Sequence, residues 1–241
     1  MTTSAAMPEV ATKGSTWAFS AQFFMISGPP AAGKTTFLER CAGKFQEQGL
    51  SVAGILVPCL EGRRRLQLIG AKEHLPFQIN DCVPHDGSGE CQDSEATEGV
   101  QVGRFVFDKG AFAMARAELD RLKDLPGGPA WILIDEIGPL EVKRQGGLEP
   151  AVGDLLRAAA RGELGPPQPR FLIVVRPSLR DTVVKTYGLD GTGLEAELSE
   201  GWCPGFNGPE ARAAAVVNLD VQEMPDVEEV VARLTTLPPL L

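Results

Sequence analysis

The chain has 241 residues, of which 43% are apolar, so it is long enough to bury the core of one large α/β domain. Its formal net charge is −9 and its isoelectric point is near 4.9, which argues against a protein that holds nucleic acid or an anionic membrane by general electrostatics. No apolar stretch is long enough to span a bilayer, and residues 1–19 lack the apolar core of a signal peptide, so we predict a disordered N-terminal tail there. The five cysteines are odd in number and scattered, which favours a reducing compartment, and we predict a cytoplasmic protein.

The first predicted element is a buried strand over residues 23–26, which leads directly into a phosphate-binding sequence. Four residues separate Gly28 from Gly33, Lys34 and Thr35, which is the spacing of a P-loop. The glycines allow unusual backbone conformations and a close approach to phosphate oxygens, and the N-terminus of the next helix completes an anion cradle. The predicted nucleotide-binding residues of this loop are Gly28, Pro29, Pro30, Ala31, Ala32, Gly33, Lys34, Thr35 and Thr36.

Two side chains of the P-loop have predicted chemical roles. Lys34 would place a compact positive charge on the β- and γ-phosphates, so we also assign it to catalysis. The Thr35 hydroxyl is a hard oxygen ligand suited to Mg²⁺. A chance match in a glycine-rich loop is the alternative, but the strand before the loop and the helical spacing after it, up to Gly49, favour a real site.

A β-hairpin is predicted next, with strands over 51–58 and 64–70 joined at Glu61-Gly62. Arg63, Arg64 and Arg65 fall near its tip, where a charged turn is a more common explanation than a phosphate clamp. A short strand over 77–79, a long surface loop over 81–99, a strand over 103–108 and a helix over 111–125 should follow. The loop contains Cys82, His85 and Cys91, but their spacing matches no standard zinc module.

The second half of the chain continues the alternation of apolar strands and helices. Strands are predicted over 131–134, 171–175 and 213–219, and helices over 148–159, 177–187 and 227–234, with a loop at Gly146-Gly147. Residues 188–212 are glycine-rich and receive no assignment. Fully apolar strands that alternate with helices indicate a parallel sheet covered on both faces. We therefore predict one domain over 20–241, of which 190–241 is a C-terminal extension that carries the last strand and helix.

Two acidic residues, Asp135 and Glu136, follow the strand over 131–134, about 100 residues after the P-loop. This is the Walker-B arrangement, in which Asp135 would hold Mg²⁺ and contribute to nucleotide binding. Glu136 suits a general base that orients and deprotonates the attacking water. An ordinary strand-end turn is the alternative, and the presence of the P-loop favours the functional interpretation.

The chain resembles the thermophile-type nucleoside triphosphatase family, whose animal members are called cancer-related nucleoside triphosphatases. Four segments carry the resemblance: the P-loop at 28–36, Val-Ala-Gly-Ile-Leu at 52–56, Val-Gly-Arg-Phe-Val-Phe-Asp at 102–108, and Ile-Asp-Glu-Ile-Gly-Pro-Leu-Glu at 134–141. The resemblance covers roughly residues 22–190, and the last of these segments is its most specific part.

The resemblance implies an α/β P-loop NTPase domain of the RecA-like, additional-strand group, with a mainly parallel sheet, helices on both faces and an inserted β-hairpin. It also implies Mg²⁺-dependent hydrolysis of ATP, GTP and other nucleoside triphosphates to diphosphate and phosphate. The long segment over 81–99 and the tail after residue 190 exceed what the family core requires, so they could provide a further specificity or a partner surface. The sequence identifies no protein partner.

Three arginines are candidates for neutralising charge on a transferred phosphoryl group. Arg176 ends a predicted strand at the edge where ligands bind in open α/β sheets, and we include it among the nucleotide-binding residues. Arg180 and Arg144 are alternatives, and solvated surface charge is an adequate explanation for any one of the three.

Two other functions remain open at this point. A P-loop kinase or transferase would use the arginine-bearing hairpin as part of an acceptor site. A nucleotide-binding switch would bind tightly with little turnover. We favour the triphosphatase because Glu136 directly follows Asp135, and most P-loop small-molecule kinases do not require a glutamate there.

Overall fold

The structure is a computed structural model that describes residues 21–81, 99–125, 127–189, 195–198, 216–220 and 226–236. The predicted tail over 1–19 and nearly all of the predicted loop over 81–99, with Cys82, His85 and Cys91, lie outside these ranges. Within the described ranges, no helix has the length and apolar character needed to cross a membrane.

Twelve strands form two sheets in the described part of the chain. Their bounds are β1 Gln22–Ser27, β2 Val52–Leu56, β3 Cys59–Leu60, β4 Arg63–Leu68, β5 Leu75–Pro76, β6 Gln78–Asp81, β7 Gly99–Val102, β8 Phe105–Asp108, β9 Trp131–Ile137, β10 Arg170–Val175, β11 Glu195–Leu198 and β12 Val216–Asp220. The helices are α1 Lys34–Glu47, α2 Lys109–Lys123, α3 Pro139–Arg144, α4 Ala151–Ala160, α5 Arg180–Tyr187 and α6 Val227–Thr236, with a 3₁₀ turn at Pro177–Leu179.

The larger sheet has the order β11, β12, β1, β10, β9, β2, β4, β3, and β5 pairs with β4. The six strands from β11 to β2 are parallel, whereas β4 runs antiparallel to β2. Strand β10 lies between β1, which precedes the P-loop, and β9, which carries the Walker-B acid. The predicted parallel sheet, the additional strand and the inserted hairpin are therefore confirmed.

Alternating side chains of the parallel strands bury two apolar layers, one on each face of the sheet. Phe23, Phe171 and Ile134 belong to the layer that α2, α4 and α5 cover. Phe24 and Trp131 belong to the layer that α1 and α6 cover. Because both faces are covered by helices, the central strands β1, β9 and β10 are apolar and buried over 23–26, 131–134 and 171–175, as the sequence predicted. The carboxyl ends of the strands remain as the accessible edge.

Close packing of two central strands depends on Gly54, in β2. This residue has φ of +126°, and a Cβ atom built there would collide with the backbone of Leu133 in β9. Glycine is required because it adopts this positive φ without strain and has no Cβ atom to collide with Leu133. The close approach brings the end of β2 beside the Walker-B segment.

Three elements differ from the sequence prediction. Residues 139–144 form helix α3 where a loop was predicted, because Pro139 begins the helix and the Glu141 carboxylate accepts the Gly138 N–H. The predicted strand over 103–108 is β8 alone, and it pairs with β7, so Gly99 and Asp81 belong to strands rather than to the loop over 81–99. A further strand, β11, falls in the unassigned segment.

The C-terminal segment also contributes directly to the main sheet. Strand β12 pairs in parallel with β1 over residues 216–220. Helix α6 packs beside α1, and Lys44 makes a 3.0 Å ion pair with Glu228. The predicted last strand and last helix are therefore present.

Candidate active site

The P-loop connects the end of β1 to the start of α1. Gly33 is the N-cap of α1 and has φ of +83°, and its carbonyl accepts the first helical hydrogen bond, from the Phe37 N–H at 2.9 Å. Ala31 is the other left-handed residue of the loop, with φ of +61°, whereas Gly28 has no positive φ. Free N–H groups in the first turn of α1 therefore face the loop. This arrangement is a ready anion-binding cradle.

Lys34 folds back over the loop that precedes it. Its Nζ donates to the Gly28 carbonyl at 2.9 Å and to the Pro29 carbonyl at 2.7 Å. Burial lowers the pKa of Lys34, and the nearby carboxylates of Glu136 and Asp135 oppose that shift. The ammonium group thus lies between the cradle and the Walker-B acids.

Asp135 is the most deeply buried acid in the described chain, with 2% of its surface exposed. Its Oδ2 accepts the Val57 N–H at 2.9 Å, which fixes the carboxylate against the end of β2. Burial raises the pKa of Asp135 to about 6, although hydrogen bonds from Val57 and from the Thr35 hydroxyl oppose the shift. The two residues predicted to hold Mg²⁺, Thr35 and Asp135, are therefore in contact.

Glu136 lies one residue further along β9 and has φ of +63°, a value that is uncommon for a residue with a side chain. Its Oε1 accepts from Arg176 Nη2 at 2.9 Å, and its Oε2 forms an ion pair with Arg64 Nη1. Burial alone would raise the pKa of Glu136, but the two guanidinium groups outweigh it and hold the pKa below its ordinary value. Glu136 is therefore ionised, and its two oxygens contact the guanidinium groups of Arg176 and Arg64.

The structure brings a different set of arginines to the site than the sequence predicted. Arg176 reaches Glu136 as its strand-end position suggested, and Arg144 lines the cavity beside Glu136. Arg180 pairs with Asp181 and does not line that cavity. Arg64 was expected to belong to a charged hairpin tip, yet it enters the site. The signal that could have found it is the alternation in β4, which places Arg64 on the same face as the fully buried Leu66.

Glu141 has a structural position in this region that the sequence did not reveal. Only 5% of its surface is exposed, and its carboxylate accepts the N–H groups of Gly138 at 2.9 Å and Leu148 at 3.2 Å. Burial raises the pKa of Glu141, and the backbone hydrogen bonds oppose this. Glu141 therefore ties the start of α3 to the loop before α4.

A cavity of about 370 Å³ adjoins Glu136 on the side of the inserted hairpin. Asp135, Glu136, Arg64 and Arg176 lie at its polar end. Most of its remaining wall is formed by apolar side chains of the main sheet, the small β6-β8-β7 sheet, α2, α3 and the connecting segments, among them Leu66, Phe77, Phe107, Phe112, Leu140 and Leu148. Arg104, Arg144 and Glu141 also line it.

The donor set at Thr35 and Asp135 fits a hard divalent cation. One hydroxyl and one buried carboxylate are what a P-loop protein supplies to Mg²⁺, which retains waters and takes its remaining ligands from substrate phosphates. Among the described residues, no group of three or more His, Cys, Asp or Glu side chains could hold a metal by itself. Thr35 and Asp135 therefore offer two candidate oxygen ligands, and water and substrate phosphates would have to supply the others.

The strand order, the P-loop between β1 and α1 and the acidic pair at the end of β9 define a P-loop NTPase fold. The sequence model of a family described as NTPase matches residues 23–161, more than half of the chain, so the chain belongs to this NTPase family.

Curated relatives and a solved structure agree with this assignment. The nucleoside-triphosphatase THEP1 of Hyperthermus butylicus is 32% identical over 126 residues, 52% of this chain and 60% of that protein. The cancer-related nucleoside-triphosphatase of Homo sapiens is 28% identical over 133 residues, 52% of this chain and 64% of that protein. The matches thus span less than two thirds of either relative. The solution structure of a human cancer-related nucleoside triphosphatase has a TM-score of 0.50 at 17% identity, covering 90% of this chain and 96% of that one, and supports the fold.

Proposed function

We propose that the protein is a Mg²⁺-dependent nucleoside triphosphatase that hydrolyses ATP, GTP and other triphosphates to diphosphate and phosphate. The observation that carries the proposal is the position of Glu136: it follows Asp135, which contacts Thr35, and its charge acts on the Lys34 ammonium. A candidate base, a metal-binding pair and a phosphate-binding lysine therefore meet at one edge of the sheet. The names of the two relatives, both nucleoside-triphosphatases, support the same activity.

The P-loop would bind the phosphates through its backbone. The N–H groups of the first turn of α1 point to the cradle, and the helix N-terminus favours negative charge there. Lys34 would exchange the carbonyls of Gly28 and Pro29 for phosphate oxygens, because a charged acceptor is a stronger partner for an ammonium group than a neutral one. Bound Mg²⁺, held by Thr35 and Asp135, would neutralise charge on the phosphates.

Glu136 would act as the base that orients and deprotonates the attacking water. Its two arginine partners keep it ionised, which a base requires, but they also weaken its basicity. A γ-phosphate is a competing anion for Arg64 and Arg176. We therefore propose that substrate draws the arginines towards phosphate, which leaves Glu136 ionised, more basic and free to accept the proton from water.

The first experiment is phosphate release from ATP, GTP, CTP and UTP with Mg²⁺, with wild type beside Glu136→Gln. We expect hydrolysis that tolerates all four bases, and a loss of about 10²- to 10⁴-fold in turnover with triphosphate binding retained in the variant. Glu163→Gln is the matched control, because Glu163 pairs with Arg161 at an exposed site. Unchanged turnover in Glu136→Gln would remove Glu136 as the base, and binding without hydrolysis in wild type would overturn the triphosphatase assignment.

A further inference from the structure

The cavity beside Glu136 adjoins the charged groups around Lys34, the residue that would contact the γ-phosphate of a bound triphosphate. Asp135, Glu136 and Arg176 line it, and the charges of all three residues act on Lys34. It also faces away from the body of the P-loop, since none of residues 28–36 lines it. The cavity is therefore distinct from the phosphate cradle and adjacent to its reactive end.

The size of this cavity exceeds what hydrolysis requires. A water molecule occupies about 30 Å³, whereas the cavity has a volume of about 370 Å³. Pockets that bind small organic molecules measure about 300 to 1,000 Å³. The volume fits an organic compound in the position that a single attacking water would otherwise occupy.

The apolar part of the cavity is a cluster of phenylalanine rings. Phe77 packs against Phe112 with ring centroids 4.8 Å apart and against Phe107 at 5.0 Å. The ring centroid of Phe105 lies 6.3 Å from that of Phe107, and Phe105 also lines the cavity. A wall of aromatic rings favours a planar ring as the body of the ligand.

Two further arginines, Arg104 and Arg144, line the cavity. Arg104 belongs to the two-residue turn between β7 and β8, and its guanidinium lies 4.9 Å from the centre of the Phe105 ring. Arg144 ends α3. Within the part of the chain that the structure describes, no salt bridge involves either arginine. The carboxylate of Glu141, which also lines the cavity, is occupied by two backbone N–H groups.

We propose that this cavity binds a nucleoside monophosphate and that the protein transfers the γ-phosphoryl group of the triphosphate to it. A base fits the phenylalanine wall, and a phosphate group fits the guanidinium groups of Arg104 and Arg144, which line the same cavity. The inference rests on the proposed binding of a triphosphate at the P-loop. It adds an organic phosphate as a second acceptor beside water.

The triphosphate and the monophosphate are the only reactants that the transfer requires. An oxygen of the acceptor phosphate forms a bond to the γ-phosphorus while the bond from that phosphorus to the bridging oxygen of the donor breaks. One triphosphate and one monophosphate thus become two diphosphates. Any proton on the attacking oxygen passes to Glu136, which lies at the end of the cavity.

The test uses the full chain with Mg²⁺, a triphosphate labelled at the γ-phosphorus, and AMP, GMP, CMP or UMP as the acceptor. Chromatography separates labelled diphosphate from labelled inorganic phosphate. With at least one of the four monophosphates, we expect the label to appear in the corresponding nucleoside diphosphate. Arg104→Gln and Arg144→Gln should raise the KM for that acceptor about 10- to 100-fold, since each removes a charge-assisted contact. Arg161→Gln, on an exposed surface elsewhere, should leave this KM unchanged.

Three results of the label experiment would overturn the proposal. Label in inorganic phosphate alone, with all four monophosphates, would leave the triphosphatase intact and remove the acceptor. Transfer with an unchanged KM in both arginine variants would place the acceptor outside this cavity. A triphosphate that binds but releases no label in any form would overturn both the transfer and the proposed hydrolysis. Calorimetric titration of the four monophosphates into protein saturated with a non-hydrolysable triphosphate gives a second readout, and no binding there excludes the site.

Discussion

The Nη2 atom of Arg176 lies 2.9 Å from Oε1 of Glu136, so the residue that follows β10 contacts the residue that follows the Walker-B aspartate. Strand β10 lies between β9 and the P-loop strand, and this order alone brings the arginine to the carboxylate. With Arg64 on the other oxygen, the contact holds Glu136 ionised. The contact also places a guanidinium group within reach of the reactive end of the P-loop.

Arg176→Gln should both slow the reaction and change its pH dependence. The arginine helps to hold the pKa of Glu136 below its ordinary value, so its removal raises that pKa. Because the base must be ionised, kcat/KM falls as pH falls through this pKa, and the acidic limb should move to higher pH in the variant. We expect a loss of about 10²-fold or more at neutral pH, as for the removal of one donor to a developing charge. The measurement is the kcat/KM profile across pH.

Arg180→Gln is the matched control for this variant, since Arg180 follows the same strand but pairs with Asp181. Its profile should coincide with that of wild type. A slower Arg176→Gln enzyme with an unshifted acidic limb would mean that Arg176 contacts phosphate without tuning Glu136.

Lys34→Ala should remove most of the affinity for triphosphates while the fold remains. Among the described residues, the ammonium group donates to the loop carbonyls of Gly28 and Pro29, so we expect the parallel sheet not to depend on it. Loss of one charge-assisted contact to phosphate predicts a rise of about 10- to 100-fold in the dissociation constant. Calorimetric titration with a non-hydrolysable triphosphate measures it. Lys143→Ala, an exposed lysine on α3, is the control, and equal losses in both variants would contradict a specific role for Lys34.

The sequence predicted the parts of the fold that depend on local chemistry. The apolar runs at 23–26, 131–134 and 171–175 are buried strands, and the spacing from Gly28 to Thr35 places the P-loop between β1 and α1. Each of these signals lies within about ten residues of chain. For the same reason, Thr35, Asp135 and Arg176 were assigned to one edge of the sheet, and the structure brings them together there.

The parts that the sequence did not predict depend on distant pairing. Strand β7 is polar at Gln101 and is defined by its pairing with β8, and β11 is defined by pairing with β12. Arg64 reaches Glu136 across 72 residues of sequence, which no local pattern encodes. Helix α3 is short, and a six-residue helix with one buried capping glutamate has too few apolar positions for a helical period to be visible.

Asp135→Asn should stabilise the metal-free protein at neutral pH while it abolishes hydrolysis. Because the pKa of Asp135 is raised from 3.8 to about 6, the folded state binds the proton more tightly than the unfolded state. The stability of wild type therefore falls as pH rises through this interval, and above it the buried charge costs at most about 3 kcal/mol. Asparagine keeps an acceptor oxygen for the Val57 N–H without the charge.

The measurement is urea unfolding in the presence of a chelator, at neutral pH and at about pH 4, where the advantage of the variant should disappear. Asp154→Asn, at a half-exposed ion pair, should leave stability nearly unchanged at both values. A lower free energy of unfolding for Asp135→Asn at neutral pH would show that the carboxylate is stabilising in place. We expect the measurement to show that the ionised Asp135 carboxylate lowers the free energy of unfolding, although the chemistry of the site requires it.

Glu141→Gln should destabilise the fold although it changes a single atom. The carboxylate accepts one N–H on each oxygen, from Gly138 and from Leu148, and both contacts are buried. Glutamine offers one acceptor oxygen and turns an amide N–H₂ towards the other donor, which leaves a buried N–H unpaired at about 1 to 3 kcal/mol. Urea unfolding at neutral pH measures the loss, and Glu163→Gln, at an exposed pair, is the control.

The pH dependence of this loss tests whether burial changes the titration of the Glu141 carboxyl group in the folded state. Burial raises the pKa of Glu141, so the wild-type side chain gains a proton on acidification sooner than a carboxyl group in water does. A protonated glutamate can still accept on both oxygens, because its hydroxyl oxygen keeps lone pairs, whereas the amide N–H₂ of glutamine cannot accept. The raised pKa means that the folded state binds this proton more tightly than the unfolded state, so the free energy of unfolding of wild type rises as pH falls. Because the glutamine side chain does not titrate, the difference between wild type and Glu141→Gln should widen as pH falls. A difference that stays constant with pH would mean that the Glu141 carboxyl group has the same pKa in the folded and unfolded states, which would contradict the effect of burial.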